Sequence, residues 1–248
     1  MLPVVRSAVP SLVTATSFVL GFAAVIWAAL GALELAGWLI VWCVLLDVVD
    51  GALARWLNAT SRFGAEFDSL ADLVAFGVAP AVLAFHVVSP LVAVPQADAK
   101  FWFLVFGAGA YALCDAVRLA RFNAMSEATG HGWFAGLPTT LAGLIVATSL
   151  ILLARGGAET AQAWAGYVSV LLLAAAAAMV STVRIPAIRR RRNRWLDAMQ
   201  WAIVAAGYAC GILRIAPAYI LAFGVAYLVT GVAAGLIAGR GAAGQSRG

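Results

Sequence analysis

The chain has 248 residues, 64% of them hydrophobic and 11% charged, with 16 Lys or Arg against 11 Asp or Glu. Its mean hydropathy is +0.98. A charged share roughly half that of an ordinary soluble domain excludes a soluble globular protein, a disordered tail and a nucleic-acid binder, and it makes the net charge of +5 a matter of membrane topology.

Apolar runs near 20 residues are long enough to cross a bilayer. Taken with their breakers, they predict an all-α integral membrane protein of about eight transmembrane helices. The first is predicted over 11–30. It reads as a retained span, because its apolar run exceeds the roughly 7–15 residues of a signal-peptide core and more spans follow at once. The second covers 35–58, its last turns too polar for lipid, and the third covers 64–87. The others are predicted over 100–124, 137–154, 162–183, 196–213 and 218–238. Pro95, Pro138, Pro186 and Pro217 fall at or beside the breaks, where helices start and stop. The Gly-Ala-Ala-Gly-Gln-Ser stretch near the C-terminus is expected to be a disordered tail. Cys43, Cys114 and Cys210 sit inside apolar runs and read as small packing residues without a disulfide framework. Residues 1–248 are expected to form a single integral-membrane domain.

With the N-terminus inside and eight spans, thirteen basic residues fall on the cytoplasmic side: Arg6, Arg55, Arg62, Arg118, Arg121, Arg184, Arg189, Arg190, Arg191, Arg192, Arg194, Arg240 and Arg247. Only Lys100, Arg155 and Arg214 fall outside. The asymmetry follows the positive-inside rule and places both termini in the cytoplasm.

Against this background the acids of the second and third helices stand out. Asp47, Asp50, Glu66, Asp68 and Asp72 lie near the cytoplasmic side, and a charge at mid-bilayer costs about 2.5–3.5 kcal/mol on insertion scales. Residues three and four apart share a helix face, so Asp47, Asp50, Gly51, Ala54 and Arg55 form one stripe, and Asp68 with Asp72 another. The short link 59–63 makes the two helices an antiparallel hairpin whose stripes can face each other. Four converging carboxylates repel unless cations hold them. All-oxygen ligands suit Mg²⁺ or Mn²⁺, and four suffice for two ions about 3.5–4 Å apart. Gly51 and Ala54 leave a smooth patch for a bulky ligand, and Arg55 can pair with phosphate oxygens. Together these describe a site for a pyrophosphate-bearing substrate. A packing or proton-relay role accounts for one such Asp, but poorly for four with Gly, Ala and Arg at fixed offsets.

The pattern Asp47-x2-Asp50-Gly51-x2-Ala54-Arg55-x8-Gly64-x3-Asp68-x3-Asp72 resembles the signature of the CDP-alcohol phosphotransferases, with every signature position filled. The resemblance implies a membrane metalloenzyme with a six-helix core, which transfers the phosphatidyl group of a CDP-linked lipid to an alcohol and releases CMP. It implies that Asp47, Asp50, Asp68 and Asp72 ligate two divalent ions per active site. It further implies that Gly51, Ala54, Arg55 and Gly64 meet the CDP-lipid, that Asp72 doubles as general base, and that the protein is a homodimer. Gly231-x3-Gly235-x3-Gly239 is a small-residue face suited equally to packing within the chain or between copies.

Further stretches are similar to the membrane-embedded bacterial phosphatidylserine synthases within that family. They are Pro10-Ser11-Leu12-Val13-Thr14, the run from Phe67 through Asp72 to Pro80, Arg118-Leu119-Ala120-Arg121-Phe122-Asn123, Gly136-Leu137-Pro138 and, more weakly, Met179 to Arg184. This likeness covers roughly 10–190 and implies CDP-diacylglycerol and L-serine as substrates, CMP as a product, and a place in the bacterial inner membrane. The last two helices, about 196–238, are not diagnostic. Thr139-Thr140 stands where the pattern would bring a second proline, and Asp115 is not part of it.

Arg118 and Arg121 share a face at the cytoplasmic end of a helix, where cations suit the dipole. With Asn123 they offer partners for the carboxylate and ammonium of serine, or for phosphate. They could equally be positive-inside anchors, with Asp115 neutralising Arg118. His86 reads as a polar boundary residue, and His131 with Trp133 as a solvated loop. The run Arg189-Arg190-Arg191-Arg192-Asn193-Arg194 reads as a juxtamembrane segment on anionic headgroups. Other acceptors remain open, namely glycerol 3-phosphate, inositol phosphate or choline. So does a cation or proton transporter, although a relay should thread the membrane and these acids pool at one face.

Overall fold

The computed structural model describes residues 2–57, 61–88, 99–125, 133–186 and 194–245. It is built of helices: α1 (Leu2–Ala29), α2 (Leu33–Trp56), α3 (Arg62–Asp72), a π-helical segment (Leu73–Val78), α4 (Ala79–Val88), α5 (Ala99–Met125), α6 (Thr139–Arg155), α7 (Gly157–Val180), α8 (Arg194–Leu213) and α9 (Pro217–Gln245). Six stretches, including Arg62–Val88 taken as one, are long and apolar enough to cross a membrane. Thr139–Arg155 and Met199–Leu213 are shorter apolar helices that complete the eight. At 1.5 Å per residue, the 17 residues of α6 span about 26 Å, just under the hydrocarbon thickness. Phe22, Ile26, Trp102, Phe106, Trp164 and Tyr167 point outward. Such a surface is natural against lipid and a liability in water.

Local chemistry sets the helix ends. α1 stops at Gly31, whose φ of +82° suits glycine. The amides of Gly31 and Ala32 return to the carbonyls of Ala28 and Trp27 at 3.0 and 2.9 Å, closing the last turn. This tight link lays α2 antiparallel against α1. α3 starts at Ser61, whose hydroxyl accepts from the Gly64 amide at 3.0 Å. Where α6 ends and α2 begins, Arg155 of α6 pairs with Glu34 of α2 at 2.5 Å and donates to the Arg214 carbonyl at 3.3 Å. Trp38 Nε1 also donates to Glu34, at 3.2 Å. The core lies between α2, α4, α6 and the π-helical segment, around the fully buried Trp38, Phe76, Leu83, Tyr111 and Ile151.

Several features differ from the sequence reading. The predicted third helix is interrupted just past Asp72 by the π-helical segment, with the Ala79 amide bonding back to the Val74 carbonyl. The wider turn leaves the Phe76 carbonyl to Tyr111, whose hydroxyl donates to it at 2.9 Å. Two glycines admit this segment. A Cβ at Gly21 would lie 2.9 Å from Ala75 Cα, and one at Gly143 would lie 3.0 Å from the Phe76 ring.

α7 ends at Val180, short of the expected 183, because the chain turns extended at Ser181. Arg184–Pro186 then pairs antiparallel with Trp133–Ala135, a two-stranded ribbon that was not foreseen. Gly136 makes the turn out of this ribbon with φ +79°. Its amide donates to the Val183 carbonyl, and that of Leu137 to the Ala178 carbonyl, both at 2.9 Å. The expected C-terminal tail is instead helical as far as Gln245, since Gly and Ala there continue α9 without a proline to stop it. Gly231 and Gly235 are buried in the chain, and the surroundings of Gly239 lie outside the described residues. All three cysteines are free, as expected. Residues 189–193, His131 and Pro95 lie outside the described residues.

Candidate active site

The antiparallel α2–α3 hairpin brings the acids together as their spacing predicts. One carboxylate oxygen each from Asp47, Asp50 and Asp68 lies within 4.8 Å of the others. Oxygens around one Mg²⁺ at 2.0–2.1 Å are at most about 4.2 Å apart. The three carboxylates therefore need only a small inward adjustment to hold a divalent ion, and their all-oxygen chemistry fits a hard one. Asp50 is buried, and the α1 hydroxyl of Thr14 donates to its Oδ2 at 3.2 Å. That bond fixes the carboxylate's orientation, as outer partners of metal ligands commonly do.

Asp72 is outside this set of three. It follows Asp68 by one turn, about 6 Å along the helix axis, and ends α3 where the π-helical segment begins. Gly51 is half-buried on α2, next to Asp50. The side chains of Ala54 and Arg55 lie outside the described residues. Gly64 sits in the first turn of α3, where the Ser61 cap holds its amide.

The second predicted constellation divides. Arg121 donates from Nη1 to the Val180 carbonyl at 3.0 Å and from Nη2 to the Ser181 carbonyl at 3.2 Å, so it caps the C-terminus of α7. Asn123 joins α5 to α3 through Ser69 at 3.0 Å and Glu66 at 3.2 Å. Arg118 is buried, and its Nη1 donates to the Thr139 hydroxyl at 3.3 Å while its Nε has no hydrogen-bond partner among the described residues. Asp115 is fully buried, and neither of its oxygens has a hydrogen-bond partner among the described residues. It makes no direct ion pair with Arg118, although the two charges, one turn apart, still attract each other. His86 stays away from the acids and bonds the Val82 carbonyl at 3.0 Å.

Sequence reasoning did not single out Thr14, Ser61 or Ser69 as contributors. Thr14 and Ser69 lie in stretches that carry the family resemblance, which was their usable signal, since Ser11, Thr16 and Ser17 of the same helix do not set the Thr14 hydroxyl apart. Thr139, noticed only as a departure from a pattern, turns out to be the partner of Arg118.

A family model described as CDP-alcohol phosphatidyltransferase matches residues 7–182, which takes in α1 through α7. A CDP-diacylglycerol–serine O-phosphatidyltransferase of Helicobacter pylori strain J99 is 34% identical over 186 residues, covering 73% of each chain. The protein of that name from H. pylori strain 26695 is 38% identical over 143 residues, covering 58% of this chain and 57% of that one. The Mycobacterium tuberculosis H37Rv protein of the same name is 40% identical over 134 residues, covering 52% and 44%. The match thus spans between 44% and 73% of the length of these relatives. The aspartates that meet across the α2–α3 hairpin lie inside the matched segment, and the chain belongs to the CDP-alcohol phosphatidyltransferase family.

Proposed function

We propose that the protein transfers the phosphatidyl group of CDP-diacylglycerol to the hydroxyl of L-serine, giving phosphatidylserine and CMP. The observation that carries this reading is the Asp47–Asp50–Asp68 cluster in a chain whose relatives bear that enzyme's name. In this reading Asp47, Asp50, Asp68 and Asp72 hold two divalent ions, Mg²⁺ or Mn²⁺. When bound, such ions neutralise the pyrophosphate and stabilise the departing nucleotide. Gly51, Ala54 and Gly64 leave room for the CDP moiety, and Arg55 pairs with its phosphates.

Asp72 accepts the serine hydroxyl proton as the oxygen attacks the phosphorus that carries diacylglycerol. The bond from that phosphorus to the bridging oxygen breaks, and CMP leaves with the electron pair. Arg118 faces the carboxylate of serine. The hairpin base near the membrane surface lets acyl chains stay in lipid while nucleotide and serine arrive from the cytosol. The reading includes a homodimer in a bacterial inner membrane, working as one catalytic domain.

The test is CMP release by purified protein with CDP-diacylglycerol, Mg²⁺ or Mn²⁺, and each of serine, glycerol 3-phosphate, inositol phosphate and choline. Serine-dependent release, abolished by chelator and restored by the metal, is expected. Release with another alcohol alone would remove serine as the acceptor, and none with any alcohol would remove the transferase reading.

A further inference from the structure

Asp115 and Arg118 are both buried, at 0% and 8% exposure, one turn apart on α5. Opposite charges so placed ordinarily close on each other, because burial makes an unpaired charge costly. Here they do not. Arg118 turns instead to the Thr139 hydroxyl at 3.3 Å and leaves Nε unpartnered. Asp115 turns toward Gly77, where a Cβ would lie 2.6 Å from its Oδ2. The absence of a side chain at Gly77 is what admits the carboxylate. One turn back, Tyr111 spends its hydroxyl on the Phe76 carbonyl and so offers nothing to Asp115. The π-helical segment that contributes Gly77 starts directly after Asp72. A buried carboxylate and a buried guanidinium Nε, both without hydrogen-bond partners among the described residues, thus stand one helical turn apart, beside the segment that follows Asp72.

We infer that Asp115 is the ammonium-recognising residue of the acceptor site, so that with Arg118 it selects an alcohol carrying both a positive and a negative group. The inference rests on the serine reading above and deepens it. A zwitterion satisfies both open groups at once: its ammonium donates to the Asp115 oxygens and its carboxylate accepts from Arg118. An alcohol without the ammonium leaves Asp115 as it is. Unsatisfied site groups discriminate strongly against analogues that lack the matching function.

The experiment compares L-serine with 3-hydroxypropionate, which lacks the ammonium, and ethanolamine, which lacks the carboxylate, by CMP release from CDP-diacylglycerol. In the wild-type protein serine is expected to exceed both by at least about 100-fold in kcat/KM. Asp115→Asn should raise KM for serine at least about tenfold and reduce the preference for serine over 3-hydroxypropionate by a similar factor. KM for CDP-diacylglycerol should move less than about twofold, and Asp115→Glu should recover part of the preference. A merely structural Asp115 would lower activity with all three acceptors alike.

Should Asp115→Asn fail to fold, wild-type protein decides: serine should raise its melting temperature where 3-hydroxypropionate does not. Equal responses to the two would overturn the assignment, as would an Asp115→Asn protein with wild-type discrimination. Wild-type protein that uses serine while the variant is unchanged overturns this assignment alone. Wild-type protein that uses glycerol 3-phosphate and not serine overturns the acceptor reading and this assignment with it.

Discussion

At the scale of single residues, Asp68 and Asp72 differ in setting although they share a helix face. Asp68 joins Asp47 and Asp50 in one oxygen cluster, whereas Asp72 stands one turn deeper, at the start of the π-helical segment. A carboxylate removed from the tight cluster can take a proton without breaking that cluster. Asp72→Asn is therefore expected to lower CMP release by about 10²–10⁴-fold, the span of general-base effects, while the protein keeps its detergent melting temperature. A wild-type rate would remove Asp72 as base. The converging acids were legible from spacing alone, because i, i+3 and i+4 positions on two helices with a short link leave little freedom. The exclusion of Asp72 from the closest set was not legible, since spacing gives the face but not the depth at which a partner helix meets it. The open state of Asp115 was hidden for a similar reason. Its distance in sequence from Arg118 suggests a pair, and only Gly77, on another element, shows where the carboxylate goes.

Among elements, α7 and its continuation carry a second kind of information. Arg121 was a candidate for binding the acceptor, yet its guanidinium satisfies two carbonyls at the end of α7. A charged donor to such groups contributes about 1.5–3 kcal/mol. Arg121→Ala should lower the melting temperature in detergent by several degrees and leave KM for serine near the wild-type value. A raised KM at unchanged stability would return Arg121 to the acceptor site. The helices themselves were readable from apolar runs and prolines. The interruption at Leu73–Val78 was not, because Leu-Val-Ala-Phe-Gly-Val is apolar throughout and holds no polar phase to reveal a change of pitch. The two-stranded ribbon escaped for want of length, as strands of three residues lie below any pattern signal. The helical C-terminus was misread because Gly and Ser suggested a tail, while nothing in Gly241–Gln245 forbids helix.

For the whole molecule, the two ends of the helix array differ in chemistry. At one end lie the aspartates with Arg118 and Arg121, and the ribbon formed by Trp133–Ala135 and Arg184–Pro186. At the other, Glu34 and Arg155 pair, and Arg214 lies over the Trp42 ring at 6.0 Å. Counted along the sequence with eight spans, thirteen basic residues are expected on the aspartate side against three on the other, and on the positive-inside rule we propose that side as cytoplasmic. Alkaline phosphatase fused after Gly156, between α6 and α7, should be active, and fused at the C-terminus inactive. The reverse result would invert the orientation and with it the side from which the nucleotide arrives.

The π-helical segment has a consequence for how far this chain can change its length. A π turn inside an α-helix accommodates one residue more than the regular pitch allows. Losing one residue between Asp72 and Ala79 would let the helix return to regular pitch while Asp68 and Asp72 kept their facing toward α2 and Ala79–Val88 its seat in the core. The same loss within a regular stretch of helix would instead turn one side by about 100° relative to the other. The segment is thus a place where this helix can give up a residue without turning its acids away, at the cost of the bond from the Tyr111 hydroxyl to the Phe76 carbonyl.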